Sequence, residues 1–71
     1  MDRLTLNRCI VRAMNAARIL KRRNPAAAAA ASSCLGSLNM ARVALVAGDV
    51  AAAQYHAEFA RLFLSIGRAI A

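Results

Sequence analysis

Tryptophan is absent, and proline, histidine and tyrosine occur once each among these 71 residues. Two phenylalanines complete the aromatic set, and the three glycines are scattered. Alanine, the best helix former, fills nineteen positions, so composition predicts helices and excludes a sheet. The only acids are Asp2, Asp49 and Glu58. Catalysis near neutral pH calls for convergent titratable groups, and this inventory does not supply them. Asp2 and Asp49 are placed to cap helices, Glu58 to pair with Arg61 three residues on, and His56 and Glu58, two apart on a helix, point in different directions. No enzymatic activity is expected. Cys9, Cys34 and His56 are single ligands on separate elements, which predicts no metal site. Gly36 and Gly48 are isolated, so no phosphate-cradling loop is expected and no cofactor is implied.

Long apolar runs are also missing. The uncharged stretch Ala26–Ala41 is mostly alanine, holds Ser32, Ser33, Gly36, Ser37 and Asn39, and meets Arg42, short of the roughly 20 apolar residues a membrane span requires. Two cysteines without a secretion signal read as reduced thiols and a cytoplasmic location.

What the chain has in excess is positive charge, +7 overall. Seven of the ten basic residues and one acid lie within residues 1–23, and nine of the ten are arginine. This asymmetry points to an acidic partner.

Asn24-Pro25 and Gly48-Asp49 divide the chain into three helices, at about 3–23, 25–47 and 50–70, with Asp2 and Asn24 as cap residues. Short links predict an all-α, antiparallel, up-down-up three-helix bundle forming one domain over residues 1–71. The run Ala41, Gly48-Asp49, Ala53 and Ala60, about a third of the chain, resembles the helix-turn-helix spacing of a tetratricopeptide repeat. The resemblance implies a tight hairpin. The family's peptide-binding groove is not implied, because residue 57 is alanine where the family has an aromatic and no second copy lies at the repeat period of about 34 residues.

In the first helix Leu6, Ile10, Ala13, Ala17 and Leu20, edged by Cys9 and Met14, form an apolar face for the core. Across from it Arg8, Arg12, Arg18, Arg22 and Arg23 are interleaved with Leu4, Val11 and Ile19. The third helix has one polar stripe, Gln54, Glu58, Arg61, Ser65 and Arg68, between two apolar flanks. Tyr55, Phe59, Leu62, Phe63, Ile66 and Ile70 form the bulky flank, predicted to face the core with Phe59 level with Leu38. Ala53, Ala57, Ala60, Leu64 and Gly67 form the small flank, which would admit a second neighbour. Cys9 and Cys34 are offset along the bundle by about 7.5 Å, so two free, buried thiols are predicted, too far apart to bridge.

These features predict a non-enzymatic regulator or inhibitor that binds a larger host protein through an acidic surface of that protein and works as a homodimer. Arg8, Val11, Arg12, Arg18, Ile19, Arg22 and Arg23 are the partner-binding candidates, since protein interfaces favour arginine among apolar anchors. A reading frame rich in Ala and Arg and beginning at methionine is typical of high-GC bacterial or phage genomes. The alternative is sequence-nonspecific nucleic-acid binding along the same arginines. A membrane surface is disfavoured, because the apolar face of the first helix is needed by the core.

Overall fold

A computed structural model describes residues 2–71, and among them every regular element is helical. Helix α1 runs Arg3–Arg23, α2 Ala28–Val46 and α3 Val50–Ile70. The long axis of 35 Å is close to that of a 21-residue helix at about 1.5 Å per residue.

The chain starts and stops its helices with local chemistry. Asp2 caps α1, its carboxylate accepting from the Thr5 N–H at 2.8 Å and from Thr5 Oγ1 at 3.0 Å. Those two bonds hold the Asp2 carboxyl below its ordinary range. The cap therefore weakens only as pH falls through that lowered value.

At the first junction Asn24 does not act as expected. Its side chain makes no capping bond, and its backbone N–H closes α1 by donating to the Leu20 carbonyl at 2.9 Å. Proline at the first position then starts a single 3-10 turn, Pro25–Ala27, before α2 proper begins at Ala28. The second helix is correspondingly shorter than 25–47. At the second junction Gly48 takes φ 86°, a left-handed conformation that favours glycine. The Asp49 N–H reaches the Ala44 carbonyl at 2.9 Å and the Gly48 N–H reaches Leu45 at 3.0 Å, the paired bonds of a glycine-terminated helix end. Asp49 Oδ1 then accepts from the Ala52 N–H at 3.0 Å and caps α3.

Leu6, Ile10, Met14 and Ala17 of α1 enclose the core with Cys34, Leu38, Ala41 and Leu45 of α2, and Ala31 is buried in the same row of α2. From α3 come Ala53, Ala60 and Leu64, with Gly67 also buried. Among the described residues no polar or charged residue is buried. This arrangement inverts the expected packing of α3: the small flank is inside and the bulky flank outside, except for Phe63, which is half-buried against the core. Phe59, expected beside Leu38 in the core, is 44% exposed, and Tyr55 and Leu62 are 60% and 62% exposed. The reason is distance. A Cβ built at Gly67 would lie 2.9 Å from Leu20 Cδ2, 3.5 Å from Ala30 Cβ and 3.8 Å from Ala27 Cβ. At Gly67 a small residue lets α3 approach the α1–α2 junction closely, and a ring at that position would collide with Leu20 and the alanines of the junction.

By length and composition alone, Pro25–Val46 reaches what a membrane-crossing helix requires. It continues past Arg42, beyond the stretch judged too short from the sequence. One row of it, Ala31 to Leu45, is taken up by the core.

Candidate functional site

Two exposed faces stand out, one basic and one apolar. On α1, Arg8, Val11, Arg12, Arg18, Ile19, Arg22 and Arg23 are all exposed. At about 100° per residue they fall within an arc of roughly 140°, opposite the buried row Leu6, Ile10, Met14 and Ala17. Leu4 stands on the same face and is more exposed than either Val11 or Ile19. The structure therefore brings the seven candidates onto one surface. Arg22 and Arg23, with Lys21, also occupy the last turn of α1, where positive charge meets the carbonyl end of the helix dipole.

The second face was missed as a surface by sequence reasoning. Tyr55, Phe59, Leu62, Ile66 and Ile70 form an exposed stripe along α3. Its rings form a tilted ladder that runs on to the half-buried Phe63: Tyr55 to Phe59 and Phe59 to Phe63 each have centroids 5.8 Å apart, and His56 meets Tyr55 edge-on at 5.5 Å. A signal for this orientation is present in the sequence, since Ala53, Ala60 and Gly67 are each seven residues apart and make one continuous small strip.

Between α1 and α3 lies a shallow groove rimmed by Cys9, Arg12, Gln54, Glu58 and Arg61. Cys9 is exposed there, against the expectation of two buried thiols. The edge of α1 that carries it faces the polar stripe of α3, whose side chains keep the groove open to water. Cys34 is buried, and burial raises its thiol above the ordinary range while the charge of Arg68 acts in the opposite sense. Among the described residues Glu58 is the only carboxylate that lines the groove. Among the described residues no three of His, Cys, Asp and Glu gather where they could hold a metal ion.

No protein-family model, no curated protein and no solved structure matches the chain.

Proposed function

We propose that this chain is a small, basic, non-enzymatic regulator or inhibitor of bacterial or phage origin that acts in the cytoplasm by covering an acidic surface of a larger partner protein. It does so as a homodimer of up-down-up three-helix units. The observation that carries the reading is the outward face of α1, where five arginines and the apolar side chains of Leu4, Val11 and Ile19 are exposed together. Arginine can pair bidentately with carboxylates and stack on apolar or aromatic surface, whereas lysine offers only a point charge. Apolar anchors within the charge suit a folded protein better than a phosphate track, which needs no Val or Ile.

The up-down-up direction is supported at both ends of the molecule. The start of α1 shares a groove with Arg42, Leu45 and Val46 at the end of α2, and Gly67 near the end of α3 adjoins Leu20 and Ala27. Dimer formation is supported by an imbalance of side chains. Among the described residues six large apolar side chains are buried, Leu6, Ile10, Met14, Leu38, Leu45 and Leu64, while eleven large hydrophobic residues are exposed.

The test is affinity capture of the tagged chain at two salt concentrations, with and without nuclease, repeated with an Arg18→Glu/Arg22→Glu variant. A discrete protein that survives nuclease and is lost with the variant is the expected result. Recovery of nuclease-sensitive material alone, falling steeply with salt, would transfer the arginine face to nucleic acid.

A further inference from the structure

We propose that the apolar stripe of α3 is the surface on which a second copy of this chain docks, in antiparallel register, so that the two arginine faces point outward from the pair. This rests on the homodimer reading above and goes beyond it by assigning the surface and the register.

Area is the first argument. The stripe runs Tyr55, Phe59, Leu62, Ile66 and Ile70, spacings of four, three, four and four that keep it on one side of α3, and all five are exposed. With aromatic side chains offering about 150–250 Å² each, the stripe presents on the order of 500 Å², as large as the biggest apolar patches on monomeric proteins. Burying it on both copies removes on the order of 1,000 Å² from water, the size at which specific interfaces begin.

Charge is the second argument, and it selects the occupant. A chain carrying +7 repels its own copy wherever arginines face each other. Here the basic groups avoid the stripe. Seven belong to α1 or its start, Arg42 borders the groove between α1 and α2, Arg61 borders the groove between α1 and α3, and Arg68 adjoins Leu20 and Arg23. The stripe itself carries no charge, and Glu58 stands at its edge. The stripe is therefore a long apolar face on which two copies can meet without opposing arginines.

Self-complementarity is the third. In an antiparallel pair about a twofold axis, positions summing to 121 lie opposite each other, so Tyr55 meets Ile66 and Phe59 meets Leu62, each pair occurring twice. Glu58 then lies level with Phe63 of the second copy, with Ser65 and Arg61 two positions to either side, and not level with its own carboxylate in the second copy. Antiparallel packing also places the two Lys21-Arg22-Arg23 ends at opposite ends of the assembly and opposes the two helix dipoles.

The experiment is sedimentation equilibrium on the full chain. Wild type is expected at twice its 7.5 kDa mass. Leu62→Glu, at a position already exposed in the monomer, should weaken self-association by about 30-fold or more with unchanged helical circular dichroism. Val11→Glu on α1 should remain dimeric. In a Cys9→Ser background, mixing Phe59→Cys and Leu62→Cys copies should give a cross-linked heterodimer on mild oxidation, with little cross-linking of either alone. A wild-type chain that stays monomeric, or a Leu62→Glu chain that pairs as wild type does, overturns the proposal. A monomer that floats with anionic phospholipid vesicles through this stripe overturns it in favour of a bilayer. Arg18→Glu/Arg22→Glu should leave the dimer intact. Loss of the dimer and loss of the acidic partner are thus separate failures.

Discussion

On one side of α3, Ala53, Ala60, Leu64 and Gly67 are buried against the other two helices; on the other, Tyr55, Phe59, Leu62, Ile66 and Ile70 face solvent. Both sides are apolar, and a ranking by hydrophobic area would bury the second. The first is inside because an alanine-rich α2 can only be packed well at short range. Its buried row interleaves the small Ala31, Cys34 and Ala41 with Leu38 and Leu45, and Ala or Gly opposite them brings many atoms into van der Waals contact. A ring placed there would hold the helices apart and leave voids beside each alanine. Close approach settles the intramolecular packing, and bulk is left over for something else.

The widest separation between the two sides should appear in stability. Leu38 is 1% exposed and is one of the largest side chains enclosed by the core. Leu38→Ala should cost about 2–5 kcal/mol in chemical denaturation, enough to unfold a domain of this size partly at room temperature. A loss well below 1 kcal/mol would mean that the core does not depend on this contact. The next effect in size has the opposite sense in volume. Ala60→Leu adds bulk on the buried strip and should destabilise by about 1–3 kcal/mol through overpacking.

Phe59→Ala removes far more volume and should cost the monomer only about 1 kcal/mol, the scale of an exposed aromatic pair. That loss should grow with protein concentration if the stripe is covered by a second copy. Equal effects of Ala60→Leu and Phe59→Ala in dilute solution would erase the distinction between the flanks.

Which parts of this were legible in the sequence follows from what each local signal measures. Asp2 and the Gly48-Asp49 pair marked helix ends because capping is a local matter of hydrogen-bond geometry. The two faces of α1 were separable because arginines lie on one and not the other. On α3 both flanks lack charge, and periodicity locates apolar faces without saying which one a neighbour takes. That choice depends on how near the neighbour can come, a property of α2 as much as of α3. Cys9 was misplaced for a related reason: its exposure depends on Gln54, Glu58 and Arg61 across the groove. Asn24 matched an N-cap by residue type, yet the end of α1 engaged its backbone first.

Two glycines repeat the contrast on a smaller scale. Gly36 lies on α2 with nothing within 4 Å of a built Cβ, whereas Gly67 meets Leu20 Cδ2 at 2.9 Å. Gly36→Ala should stabilise the protein by about 0.5–1 kcal/mol, the helix-propensity gain with no steric offset. Gly67→Ala makes the same gain but must displace the end of Leu20, so its net effect should be smaller. If Gly67→Ala stabilised more than Gly36→Ala, the close approach of α3 would lose its physical basis.

The smallest expected effect alters no stability at all and reads the two environments through sulfur. Cys9 lies open in the groove facing the polar stripe, and Cys34 lies in the row packed within the core. Thiolates are the species that react with maleimides or disulfide reagents, and burial holds the Cys34 thiol protonated to higher pH than usual while also denying access. A native chain should therefore show one thiol that labels promptly and one that labels only as the protein opens. Denaturant should make the two equal, and Leu38→Ala should speed the slow thiol in proportion to the stability it removes, because opening of the core then limits the reaction. Rapid labelling of both thiols in the wild type would mean that the small-residue packing opens freely. The bulky stripe would then have no rigid helix to stand on.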